Sequence, residues 1–182
     1  AVGTMVFKAK DSKLSSRLLQ VMSRIKNFDT VSARGKRNVA TGFTTPEGKL
    51  QLKGFDFNPK APFKGVLFAP YTLDTGTGEV LIPNFIPIEQ VQYPQGATHM
   101  SFQSAAVLVD FETGLSASVY SPIENIPISL TNTSVTLTPT SVPTGTGVQL
   151  FLILISFYQE VNGAQYSLKN EEFNVLHVLE VV

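Results

Sequence analysis

Apolar residues in the early part of the chain keep a helical rhythm. From Asp11 to Phe28, the residues Leu14, Leu18, Leu19, Val21, Met22, Ile25 and Phe28 recur at spacings of three, four and seven, with no Gly or Pro in the run. That spacing predicts one amphipathic helix, which Asp11 or Ser12 is expected to cap. Lys13, Arg17, Arg24 and Lys26 fall on its other faces. Ser32-Ala33-Arg34-Gly35-Lys36-Arg37 follows as a basic loop. Leu50 and Leu52 then alternate with Gln51 and Lys53, so a hairpin is expected between residues 39–44 and 50–57, turning at Pro46-Glu47-Gly48-Lys49. Asn58-Pro59-Lys60-Ala61-Pro62 interrupts regular structure, because two prolines remove donors and restrict their neighbours.

Beyond this break the period changes from helical to two-residue. Strand candidates separated by turn signals lie at 66–69, 79–82, 98–110, 115–120, 126–130, 134–138, 148–161, 165–168 and 173–182, a density that predicts an antiparallel sandwich. Val135 and Leu137 alternate with Ser134, Thr136 and Thr138, as in a half-exposed strand. Leu150 to Ile155 is apolar at every position, as in a central one. Asn162-Gly163 is the strongest hairpin signal. Pro139 and Pro143 make residues 139–147 a loop or an edge, and no period of 20 to 50 residues suggests a solenoid.

Charge divides at the same place. Residues 1–64 hold 13 of the 14 basic residues against 4 acids, whereas residues 65–182 hold Lys169 against 10 acids. The formal net charge of zero is therefore a cancellation of +9 by −9. Val, Ile and Thr number 11 in the first segment and 34 in the second, so β-branched stiffness accumulates with the acids. Two units are expected: 1–64, basic, with helix and hairpin, and 65–182, an acidic sandwich. With 15% charged and 43% hydrophobic residues in 182, the composition argues against a disordered tail. The absence of Cys excludes disulfides, a thiolate nucleophile and Cys-ligated metal sites. The longest apolar run is far short of the roughly 20 residues a membrane-spanning helix needs, and the N-terminus shows no secretory pattern.

Candidate chemistry is sparse. His99 and His177 are isolated, with no second His at ligand spacing. Asp110-Phe111-Glu112 puts two carboxylates on one side of a strand end, a spacing that a paired acid and base or a calcium site uses, although solvated strand-end acids look the same. Asp74-Thr75-Gly76-Thr77-Gly78-Glu79 lacks the alternating ligands of a calcium loop and reads as a hairpin turn. Neither Gly145-Thr146-Gly147 nor Arg34-Gly35-Lys36 extends into a phosphate-cradling motif, and no Ser lies in a nucleophile elbow. Neither an enzyme nor a cofactor is expected.

Arg34-Gly35-Lys36-Arg37, followed by Gly54-Phe55-Asp56-Phe57-Asn58 and Pro62-Phe63, resembles a bacterial family of unknown function, and the similarity runs on into the sandwich. Members begin with a further basic, Gly-rich segment, so a missing N-terminal piece is expected. The resemblance implies no activity, cofactor or catalytic residue.

The expected fold is mainly β (α+β): an antiparallel Ig-like or jelly-roll sandwich with an N-terminal amphipathic helix and a basic hairpin. The expected role is structural or interactive, a protein that associates with itself or another protein head-to-tail through its basic and acidic parts. Lys13, Arg17, Arg24, Arg34, Lys36 and Arg37 are the candidate contact residues. The alternatives are salt-dependent nucleic-acid binding by the basic segment and carbohydrate or cell-surface binding by the sandwich, for which only Tyr71, Tyr93, Tyr120, Tyr158 and Tyr166 are available without Trp.

Overall fold

The computed structural model of the chain describes residues 2–9, 11–168 and 172–182. Five helices precede the strands: α1 (Gly3–Lys8), α2 (Leu14–Asn27), α3 (Val39–Gly42), α4 (Pro46–Leu52) and α5 (Phe63–Val66). The rest is mainly antiparallel β structure, with strands β1 (Thr72–Leu73), β2 (Val80–Phe85), β3 (His99–Val109), β4 (Ser116–Tyr120), β5 (Glu124–Pro127), β6 (Thr133–Leu137), β7 (Val148–Val161), β8 (Ala164–Ser167) and β9 (Val175–Val181). A one-turn helix, α6 (Pro87–Gln90), separates β2 from β3.

The amphipathic helix forms where the periodicity puts it, with Leu14, Val21 and Ile25 buried and Leu18 and Met22 packed alongside. Leu19 falls off this stripe and is 67% exposed. The cap differs from expectation. Lys13 occupies the N-cap position and no side chain caps the helix, because the Asp11 carboxylate instead accepts from Arg17 at 2.8 Å.

The expected basic hairpin is not formed. Its first arm is α3, capped by the Asn38 side chain accepting from Thr41 N–H. Its turn and second arm are α4, where Thr45 accepts from Gly48 N–H and Pro46 occupies the first turn. The Leu50/Leu52 alternation misleads because only Leu52 is buried, while Leu50 is 61% exposed. The glycines explain the compact turn. A Cβ on Gly42 would sit 2.2 Å from the Ile25 carbonyl oxygen, and one on Gly48 2.0 Å from that of Gly42. Such contacts are open only to glycine. Residues 54–57 do run extended, but along β9: Gly54 N–H donates to Val178 O, Val178 N–H to Phe55 O, and Phe57 N–H to Leu176 O.

Two sheets make the sandwich. The larger has six strands, in which β3 pairs along its whole length with β7, from His99↔Tyr158 to Val109↔Val148. β4 and β5 share the outer edge of β3, and β8 and β9 share that of β7. This sheet curls into a half-barrel, so the Asn125 and Gln165 amides from its two flanks exchange hydrogen bonds of 2.9 and 3.3 Å. The smaller sheet has the order β1-β2-β6. The strand expected at 66–69 is not formed: the chain there ends α5 and makes a single bridge, Leu67↔Val91, and β1 lies further along.

The larger sheet is buried on both faces. Phe151, Ile153, Ile155 and Phe157 of β7 meet Met100, Phe102 and Ala106 of β3 and Val80, Ile82, Phe85, Val135 and Leu137 of the smaller sheet. Leu152 and Leu154, one residue out of step, meet Val21, Ile25, Phe43 and Leu52 of the helical segment. The continuous apolar run is thus a strand between two covers.

The hairpins β1–β2 and β3–β4 share one turn, Asp-x-x-Thr-Gly, at Asp74 and at Asp110. In each the Asp carboxylate accepts from the amide two residues on, the Gly amide returns to the Asp carbonyl, and the Thr hydroxyl accepts from the amide after the Gly. Gly78 and Gly114 take φ of 75° and 76°, left-handed values suited to glycine. The tip of β7–β8 has Asn162 and Gly163 both left-handed, as a two-residue hairpin requires.

Candidate interaction site

The basic loop is built around one aspartate. Asp29, just after α2, is fully buried, and its carboxylate accepts from the amides of Val31, Ser32 and Asn38 at 3.2, 2.9 and 3.0 Å. Burial opposes its charge, but the Ser32, Asn38 and Val31 donors outweigh it and hold the carboxyl at about 2. The loop is therefore pinned at both ends, with Arg34, Lys36 and Arg37 exposed between them. These three make no ion pair among the described residues.

The other candidate residues divide. Lys13 and Arg24 are exposed. Arg17 is a strut: Nη1 donates to Asp56 O at 2.8 Å, Nη2 to Phe57 O at 2.7 Å and to Asp11 Oδ1, and the guanidinium lies over the Phe55 ring. That hydrogen bond from Arg17 holds the Asp11 carboxyl below its usual range. Arg17 thus ties α2 to the 54–57 segment.

Sequence reasoning missed the seam between that segment and β9. His177 Nδ1 and Asp56 Oδ1 lie 2.7 Å apart, the same oxygen accepts from Phe63 N–H, and the Phe63 ring stacks on the imidazole at 4.6 Å. Asn58 donates to the carbonyls of Glu172 and Asn174. Two ion pairs join the basic segment to the acidic one here, Lys53–Glu180 and Lys60–Glu172, and the bond to Glu172 raises the Lys60 pKa. The Asp56-x-x-x-x-x-x-Phe63 spacing alone does not announce a partner so far along the chain.

The Asp110 and Glu112 pair resolves into a turn. Amides of Glu112 and Thr113 hold the Asp110 carboxyl below the usual range, and Thr146 donates to its second oxygen. His99 lies 3.6 Å from Glu160 across the sheet. Among the described residues no three His, Cys, Asp or Glu side chains converge as a metal site, and no helix is long and apolar enough to cross a membrane. The tyrosines are dispersed: Tyr71 packs edge-on to Phe63, Tyr93 and Tyr120 lie against opposite core layers, Tyr158 accepts from Ser101, and Tyr166 is exposed on β8.

Neither charge set keeps to one end of the β3–β7 pair, which at 11 residues of β3 spans roughly 35 Å: Asp110 and Glu112 lie at the Val109 end, and Lys60 lies near Phe157 at the His99 end, but the exposed Arg34, Lys36 and Arg37 gather at the first and an exposed acidic group at the second. At the Val109 end, Phe43 stacks on Phe111 and Asn38 lines a hollow with Phe111 and Glu112, which puts the Arg34–Arg37 loop beside the β3–β4 turn. Asp110 and Glu112 are at this end too. At the His99 end are Glu124 of β5 and Glu160 of β7, with Glu89 on α6, whose Ile88 amide bonds Ser129 just beyond β5. Comparison with protein families, with curated proteins and with solved structures finds no match to this chain.

Proposed function

We propose that the chain is a non-enzymatic interaction protein that associates head-to-tail, its basic loop meeting the acidic end of a second copy. The observation that supports this reading is the distance between the exposed cations of the loop and the exposed acids near His99. Folding joins the two charge sets through Lys53–Glu180 and Lys60–Glu172, yet Arg34, Lys36 and Arg37 make no ion pair among the described residues at one end while Glu89 and Glu124 stand exposed at the other. Unlike ends on one body favour a heterologous contact, which propagates unless it closes into a ring. The pinned base of the loop supports the same reading, since a presented and ordered cation cluster loses less entropy on contact than a mobile one.

Light scattering after size exclusion tests this. The mass is expected to exceed one chain at low salt, to fall to one chain at high salt as screening shortens the range of the attraction, and to be that of one chain at all salt concentrations when Arg34, Lys36 and Arg37 are replaced by Gln. A monomer at low salt that instead retains DNA or RNA would shift the assignment to the nucleic-acid reading.

A further inference from the structure

The seam between α2 and residues 51–62 carries an open cavity of about 450 Å³ that the self-association reading does not use. We infer that this cavity is a binding site for a compact oxyanion, a phosphate or carboxylate group. Its polar lining is dominated by donors. Arg17, Gln20 and Arg24 come from α2 at spacings of three and four, so they share one side of the helix. Gln51 and Lys53 approach from the opposite wall, and Phe55 forms an apolar base under the Arg17 guanidinium.

The chemistry of the lining selects the ligand. Arg and Lys offer donors and no acceptor, and a guanidinium fork matches two oxygens of one carboxylate or phosphate. Arg17 is preorganised, because its bonds to Asp56 O, Phe57 O and Asp11 fix it across both walls. Asp11 already balances its charge and Glu180 that of Lys53, so Arg24, in no ion pair among the described residues, is the cation that takes the ligand, with Lys53 turning from Glu180 to close on it. Lys53 is held near the rim by Glu180 through one of its three donors. Asp56 is the acid in the lining, and its Oδ1 is already engaged by His177 and the Phe63 amide. Gln20, Arg24 and Lys53 are exposed to water, and an oxyanion replaces that water with charge-assisted bonds that a neutral or cationic ligand does not offer.

The test is an NMR titration of the full chain at constant ionic strength, with inorganic phosphate in one arm, succinate in a second and chloride as the reference. Saturable shifts of the Gln20 and Gln51 side-chain amides are expected with phosphate, with succinate or with both, and the tighter of the two identifies the source of the group. Replacing Arg24 and Lys53 together by Gln is expected to weaken binding about tenfold or more, as the charge-assisted bonds are lost. Replacing Arg34, Lys36 and Arg37 by Gln leaves it unchanged. Shifts that stay linear and equal for all three anions, or binding that survives the Arg24/Lys53 change in a chain with an unaltered spectrum, would overturn the assignment.

Discussion

The two faces of the larger sheet are covered by different means. On one, the strands of the smaller sheet bring Val80, Ile82, Phe85, Val135 and Leu137 against β3 and β7, with a buried bond from Ser104 Oγ to Leu137 O among these apolar contacts. On the other, the helical segment also buries apolar residues, but polar and glycine contacts fix its position: Gly42 and Gly48 at the helix junctions, Asp29 under the loop, Arg17 across to 56–57, and Asp56 against His177. An apolar face tolerates small adjustments of neighbouring side chains. A layer held by single backbone approaches and single carboxylates does not, and the backbone at both ends of its basic loop is held in place as a result.

This difference can be broken on either side. Ile153→Ala on the strand-covered face removes a side chain with no exposure, and a global loss of about 4 kcal/mol is expected in denaturant unfolding, with one cooperative transition. Gly42→Ala on the helical face adds one carbon against the Ile25 carbonyl. It is expected to cost about 3 kcal/mol, and hydrogen exchange would show the loss of protection concentrated in α2 to α4 while β3 and β7 stay protected. Equal loss across the sheet would erase the distinction between the faces.

Asp29→Asn has the smallest expected effect, a melting temperature lower by roughly 5 °C at neutral pH. Its pH dependence is the sharper readout. The folded carboxyl lies at about 2 against an ordinary 3.8, so its contribution is complete above about pH 4 and is lost as the pH falls through about 2. The gap between the variant and the native chain should therefore be constant from pH 7 to about 4 and close below it. A gap that persists at pH 2 would mean that the amides of Val31, Ser32 and Asn38 do not depend on the carboxylate charge.

The same contrast explains what was legible in the sequence. Alternation at Val135 and Leu137, the unbroken run at Leu150 to Ile155 and the Asn162-Gly163 turn are local signals, and the strands they mark form close to the expected positions. The helix at Leu14–Asn27 is equally local. The region from Val39 to Leu52 misled because its short helices bury few residues and are set by caps at Asn38 and Thr45 and by glycine contacts. Period-two matching at Leu50 and Leu52 carries no information about either. The Asp56–His177 pair joins residues 121 positions apart, and only the closed fold brings them together. Among the candidate cations, Arg17 turned inward because carbonyls of residues 56 and 57 are within its reach, which charge counting along α2 has no means to detect.

Head-to-tail contact between unlike ends is most directly tested by mixing two variants, each with one end silenced. One carries Gln at Arg34, Lys36 and Arg37, the other Gln at Glu89 and Glu124. Each alone is predicted to sediment at low salt as a single chain of 19.8 kDa, and the equimolar mixture as a 1:1 complex that grows no further, because one functional basic end meets one functional acidic end. A mixture that stays monomeric, or either variant associating by itself, would contradict the account.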